Sequence, residues 1–258
     1  MLKVKAAVAL MDFSERHPRF VRCGLRPISN APWISRKLKV MVRAYMGSSS
    51  FDIHDVDMKK GRIGVGGVDE IMFGSELLRV MHEVLGRMGP EEKERALYDI
   101  GFITGYYEAM DAIRKERWAP RVFVPLMTSG GLLERVRQDP LMAELLSKVL
   151  VTESRIIITE GGWGTVEEFD FTSEPLRAVL SNSQEVDWLG PSDTPVCHYF
   201  AGGAAGHVSA ITGEWFEGRE VECAATGAPR CVFEMTPSQD GKAELERHEM
   251  ACRLLAMR

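Results

Sequence analysis

Apolar residues recur at helical spacing in three long segments of the chain and cluster at strand spacing in several short ones. "SELLRVMHEVLGRMG" places Leu77, Leu78, Met81, Val84, Leu85 and Met88 on one helix face. Ser75 is positioned to cap that helix and Gly89-Pro90 to end it. "PEEKERALYDIGFITGYYEAMDAIRKERW" follows, with Pro90 and early acids suited to a helix N-terminus. Ala96, Ile100, Ile103, Tyr107 and Met110 mark one face of it, and Gly101, Gly105, Ala109 and Ala112 another. Glycine inside a helix costs about 1 kcal/mol relative to alanine, so two of them one turn apart predict that another backbone approaches closely. "DTPVCHYFAGGAAGHVSAITG" predicts a third helix, capped by Asp193 or Thr194 with Pro195 in its first turn, and with a small-residue stripe of Gly202, Gly206, Ser209 and Gly213.

Between these helices, "DMKKGRIGVGG" and "VDEIMFGS" predict two short strands around a glycine turn. "DPLMAELLSKVL" has helical spacing, while "SRIIITEGGW" and "EEFDFTSE" have the composition of strands. "EWFEGREVECAAT" and "PRCVFEMT" predict a hairpin, and "KAELERHEMACRLLAMR" a closing helix. Strands that cluster rather than alternate with helices predict an α+β fold, an antiparallel sheet packed with helices, instead of a doubly wound sheet.

Charge divides the chain unevenly. Residues 1–50 carry ten Lys/Arg against two acids, a balance of +8; with a net charge of −5 for the whole chain, the remainder carries −13. The first 50 residues therefore read as a basic arm that is partly docked, followed by a domain over 51–238 and a helix over 239–258. The arm and the small-residue helix faces together predict a homodimer. There is no run of about 18 apolar residues, so no transmembrane helix is expected, and the start lacks a signal-peptide pattern. The protein is expected to be cytoplasmic. The odd number of cysteines, five, then argues against a disulfide framework. No phosphate loop, GxGxxG, GxSxG or HExxH motif is present, which leaves nucleotide binding, serine hydrolysis and metalloprotease chemistry without a sequence basis. Nucleic acid and membrane are not expected partners.

The candidate chemistry lies around the hairpin. Cys197 sits near the start of the third helix, where thiolate is stabilised. Glu220, Cys223 and Cys231 follow with the spacing C-x22-E-x2-C-x7-C. Three thiolates and a carboxylate complete a tetrahedral zinc set. Strand alternation would point Glu220 and Cys223 apart, so a bulge must lie between them if both bind. The separations are not those of a CxxC knuckle, and three unrelated buried cysteines beside a surface acid remain an alternative. Cys23 and Cys252 read as ordinary residues.

The segment "PVCHYFAGGAAGHVSAITGEWFEGREVECAATGAPRCVFEM" closely resembles the 4-vinyl-reductase-type, hydrocarbon-binding domain. That domain occurs in the sensory half of phenol- and xylene-responsive activators, in tetrapyrrole vinyl-reductase-associated proteins and in archaeal proteins. Its fold is similar to that of small vesicle-tethering subunits. The resemblance covers residues 156–236 and reaches more weakly back to residue 51. It implies zinc at Cys197, Glu220, Cys223 and Cys231, structural in role because four protein ligands leave no open position. It also implies a pocket for a small hydrophobic, aromatic ligand, with Trp163 of "TEGGW" donating its indole N–H to a ligand oxygen. Phe102, Tyr106, Tyr107, Phe169, Tyr199 and Phe200 are candidate walls, and His207 a candidate polar group. The sensors pair this tryptophan with a histidine from an earlier helix, and residues 119–162 contain none. The Trp163–Cys197 segment reads as a loop about a dozen residues longer than theirs, a length that marks a lid or partner surface. The implied function is non-enzymatic binding or sensing, acting in trans on a regulatory partner. A carrier or accessory in tetrapyrrole metabolism and a tethering scaffold are the alternatives.

Overall fold

The computed structural model describes residues 54–65, 68–70, 76–114, 132–154, 158 and 162–238, with ten isolated positions among the first 50. The elements in chain order are β1 (His54–Asp57), β2 (Arg62–Val65), β3 (Val68–Glu70), α1 (Glu76–Leu85), α2 (Pro90–Arg114), α3 (Leu132–Gln138), α4 (Pro140–Ser154), β4 (Thr165–Asp170), β5 (Leu176–Ser181), α5 (Gln184–Leu189), α6 (His198–Thr212), β6 (Phe216–Glu222) and β7 (Cys231–Pro237).

Strands β4 to β7 form one antiparallel sheet in the order β4-β5-β7-β6. The register sets Leu176, Ala178 and Leu180 opposite Met235, Phe233 and Cys231. All six are buried in the main core, which is the helix-facing side of the sheet. The other side carries a row of alternating charge across all four strands, Asp170, Arg177, Glu234 and Arg219. Opposite charges on neighbouring strands favour this register. The expected α+β architecture, an antiparallel sheet packed with helices, is the one observed.

Helix α6 lies on β6 and β7, and α2 packs on α6. Glycine sets that second distance. A Cβ on Gly202 would lie 2.0 Å from the Tyr98 carbonyl oxygen, and one on Gly206 2.1 Å from that of Phe102. From the other helix, a Cβ on Gly101 would lie 1.9 Å from the Tyr199 oxygen, and one on Gly105 2.2 Å from that of Gly203. The close approach predicted from Gly101 and Gly105 is thus present, and the two stripes meet each other. Gly101, Gly105, Gly202 and Gly206 are thus used within one chain. Tyr98 fastens the pair to the sheet by accepting the Gly218 N–H at 2.9 Å.

Several expectations change. The "SRIIITEGGW" strand is not formed at its described positions, because α4 runs on to Ser154 and Ile158 is helical. The supposed loop between Trp163 and Cys197 contains β4, β5 and α5, and β5 is a central strand. It is therefore a folded part of the sheet rather than a loop. Helix α6 starts at His198 with Cys197 as its cap, not at Asp193 or Thr194, because the Cys197 N–H is taken by Glu220 at 2.9 Å. On α1 the core takes Leu78 and His82, leaving Leu77, Val84 and Met88 exposed. On α2 it takes Leu97, Phe102 and Ala109, leaving Ile100 outside. The two glycine-turn strands are β2 and β3, and β1 pairs with β2 to make a three-stranded sheet. Of the basic arm, Val8 joins the core and Asp12 pairs with Lys148 of α4. The closing helix, Cys23 and Cys252 lie outside the described residues. Among the described residues, no helix is long and apolar enough to cross a membrane.

Candidate metal centre and its surroundings

The β6–β7 hairpin is closed by a short 3-10 turn over Ala224–Thr226 and by Gly227 at φ 95°, where a side chain would be strained. The Cys223 carbonyl accepts the Thr226 N–H at 3.1 Å and the Ala228 N–H at 3.3 Å. This turn presents Cys223 and Cys231 from its two ends. The ladder shifts register between Glu220 and Glu222, which is the bulge that joint use of Glu220 and Cys223 requires. Cys197 arrives from the start of α6.

The four side chains are all buried, and one ligand atom from each lies within 4.8 Å of the others. The Cys197 and Cys231 sulfurs are 3.7 Å apart. A tetrahedral metal with bonds of about 2.3 Å to sulfur has a sulfur–sulfur edge of about 3.8 Å. Glu220 divides its oxygens. Oε2 accepts the Cys197 N–H, while Oε1 is buried with no partner. An orphaned carboxylate oxygen beside three thiols is the donor a cation lacks in such a set. The Ala224 N–H points to the Cys231 sulfur at 3.4 Å, and Ser183 Oγ lies 3.4 Å from that of Cys197, supports of the kind that orient ligands.

Charge in the cluster is crowded. Hydrogen bonding from Cys197, reinforced by the Val196 and Ala225 backbone, pulls Cys223 down to about 5. The same sharing, with Cys231 and burial, pushes Cys197 well up. Burial raises Glu220 to about 7. One thiolate is thus held by protons on its neighbours, and a dication replacing those protons relieves the whole group. The site can hold a metal.

Next to the cluster, the α6 N-terminus is held by a second buried carboxylate that sequence reading missed. Glu185 of α5 accepts the Tyr199 N–H at 3.4 Å and the Phe200 N–H at 3.1 Å. Its Oε1 also lies 3.5 Å from Nε2 of buried His82 on α1, although both His82 nitrogens lack hydrogen-bond partners. Residues 82, 185 and 199 are too far apart in sequence for any local pattern to link them.

The candidate ligand residues fall into separate groups. Trp163 is half-buried and stacks on Tyr199 at 5.3 Å and 9°. Its backbone is fixed from both sides, donating to Ile158 and accepting from Gln184. Phe102 and Tyr106 stack with Trp215, a residue not singled out from sequence. Phe200 packs on Phe233, and Phe169 on Phe171. Tyr107 is half-buried on α2. A cavity of about 300 Å³ opens between α4 and β4, but Lys148, Glu167 and Asp170 line it beside Phe169, so it is not an aromatic pocket.

His207 Nε2 is buried without a partner, and burial lowers the imidazole to about 4. The sign follows from the depressed value. The neutral ring contributes its full stability above the unfolded value of about 6.5 and loses it as pH falls through about 4. Relative to wild type, His207→Gln should gain about 3 kcal/mol of stability between pH 7 and pH 4, a difference readable from paired denaturation curves. A gap that stays constant over that range would show that His207 takes up its proton alike in the folded and unfolded protein, so that burial does not depress it.

Residues 176–237 match the family model of the V4R domain. The 4-vinyl-reductase-type resemblance therefore holds over β5 to β7, with all four cluster residues inside it. Among curated proteins none matches the chain. The fold is similar to that of the phenol-responsive sensory domain of the transcription activator PoxR, solved with phenol. That similarity has a TM-score of 0.50 and 21% identity, covering 84% of this chain and 97% of that one. A vinyl-4-reductase family protein from Methanocaldococcus jannaschii matches at 22% identity and a TM-score of 0.32, covering 52% of this chain and 95% of that one.

Proposed function

We propose that this chain is a non-enzymatic binding module for a small hydrophobic, aromatic molecule, held in shape by a structural zinc ion and acting in trans on a partner protein. The observation that carries this reading is the buried Cys197, Glu220, Cys223 and Cys231 cluster at the junction of the hairpin and α6. Zinc there would cross-link two elements while leaving no site for an activated water. The junction also sets the position of Tyr199, two residues after Cys197, and Tyr199 is the ring on which Trp163 stacks. The metal therefore acts on a binding surface by holding the helix that carries it. The fold shared with a phenol-responsive domain, and the V4R match, support a ligand of that chemical type.

Trp163 supplies an indole N–H donor beside the Tyr199 ring, so a flat apolar molecule with one oxygen acceptor fits the available chemistry. Calorimetry with phenol and toluene tests it on wild type and Trp163→Phe. The variant should lose about 1–3 kcal/mol of affinity for phenol, the cost of a buried oxygen left unpaired, and little for toluene. Equal losses for both would reduce Trp163 to packing. Porphyrin absorbance in protein purified from its own host would point instead to a tetrapyrrole carrier.

A further inference from the structure

Among the described residues, the exposed phenylalanines and tryptophans all lie in the basic arm: Phe13 at 43 %, Phe20 at 67 % and Trp33 at 78 %. The arm is helical at Lys5, Val8, Ala9, Asp12, Phe13, Arg16 and Phe20. Val8 and Asp12 face the body, Val8 in the main core and Asp12 paired with Lys148 of α4. Lys5, Ala9, Phe13 and Arg16, spaced by four and three residues, lie along one exposed side. His17 donates its N–H to the Phe13 carbonyl at 3.0 Å, and its ring centre lies 4.8 Å from that of Phe13. Phe20 meets Phe13 edge-on at 5.9 Å and 89°. The two phenylalanines therefore form one apolar wedge with Arg16 and His17 beside it. The segment carrying them has ten Lys/Arg against two acids, and one of those acids, Asp12, is already paired.

We propose that this arm lies in the headgroup layer of an anionic lipid bilayer, with the Phe13–Phe20 wedge and Trp33 at the acyl boundary, and so holds the domain on a membrane surface. Such a surface takes both features at once: its acyl chains accept the rings, and its lipid phosphates attract the cations. A nucleic-acid duplex would take the cations but offer the rings no apolar place. Single-stranded bases stack on open ring faces, whereas here the edge of one ring covers a face of the other. Among the described residues, no helix is long and apolar enough to cross a membrane, but a helix lying in the interface needs no such length. The body is held through Val8 and Asp12, and the bilayer through Phe13, Arg16 and Phe20, so both contacts can be kept together.

Vesicle sedimentation of the full chain tests this. Wild type should bind vesicles of phosphatidylcholine with about a third phosphatidylglycerol about tenfold or more tighter than pure phosphatidylcholine, and salt at about 0.5 M should remove most of that difference. The double variant Phe13→Ser, Phe20→Ser should bind the anionic vesicles about tenfold more weakly, with its far-ultraviolet circular dichroism and metal content unchanged. Met58→Ser removes a side chain that is 85 % exposed outside the arm, and should bind like wild type. Arg16→Glu should weaken binding and lower its salt dependence. Trp33 emission should shift to shorter wavelength on binding, read as the difference between wild type and Trp33→Phe. A wild type that stays in solution with anionic vesicles, or equal binding by wild type and the double phenylalanine variant, would overturn the proposal. A preference for duplex DNA or polyglutamate over the vesicles would overturn it too, by making the arm a site for polyanions in general. None of these readouts depends on the zinc or on the aromatic ligand.

Discussion

Purified protein should contain about one zinc ion per chain, and Cys231→Ser should contain none. The four donors come from two elements, the hairpin and the start of α6, so loss of the metal removes a cross-link between them and leaves Glu220 Oε1 buried without a partner. Structural zinc sites contribute about 10 kcal/mol or more of apparent binding energy, of which the folded protein keeps the part not already supplied by its core. A destabilisation of about 5 kcal/mol or more is expected for Cys231→Ser, with a fall in Tm of roughly 10–20 °C. Cys197→Ser should behave alike, although it lies on the other element. Strong chelators should reproduce the shift in wild type and leave both variants unmoved. Two results would sink the assignment: full metal content in either variant, or a wild-type Tm indifferent to chelation in protein shown to carry no metal.

The second large effect is expected at the crossing of α2 and α6. Gly202→Ala adds one methyl group whose carbon would stand 2.0 Å from a carbonyl oxygen. Neither partner is a flexible side chain, so the helices must separate, and the buried contacts between them loosen together. Overpacking of this kind costs about 3 kcal/mol or more, against about 1 kcal/mol gained from helix propensity. Gly203 is the internal control. A Cβ there would meet the Gly101 oxygen at 3.7 Å, an ordinary contact. Gly203→Ala should therefore be neutral or stabilising by up to about 1 kcal/mol. Equal effects at these adjacent positions in urea denaturation would contradict the close crossing.

Local patterns carried the parts of the fold that were legible in sequence. Glu220, Cys223 and Cys231 fall within one hairpin, and the turn between them announces itself in "ATGAPR". The glycine pairs announced a close neighbour without identifying it, and only the structure joins the two stripes. Strand β5 was hidden because a central strand buried on both faces loses its alternation: Leu176, Ala178, Val179 and Leu180 are all buried. The Ile156–Ile158 run has strand composition, yet Ile158 is helical. Helix α1 offered an apolar surface wider than the core could cover, so the hydrophobic pattern alone could not say which half faces inward. The Glu185–His82 contact spans 103 positions and uses polar residues, for which burial is the exception.

The bulge and the charge row together bear on how the sheet assembles. Strand β7 has neighbours on both sides, and its faces differ: Cys231, Phe233 and Met235 are buried against the helices, while Glu234 stands between Arg177 and Arg219 on the other side. A slip of one residue would turn Cys231 to the far side of the sheet. A slip of two would carry it roughly 7 Å along the strand, and would take Glu234 from between Arg177 and Arg219. Only the correct alignment gathers all four donors. The four-residue cluster and the charge row are thus separate checks on the alignment of β7, and a metal bound at the cluster would add its energy to that one pairing alone.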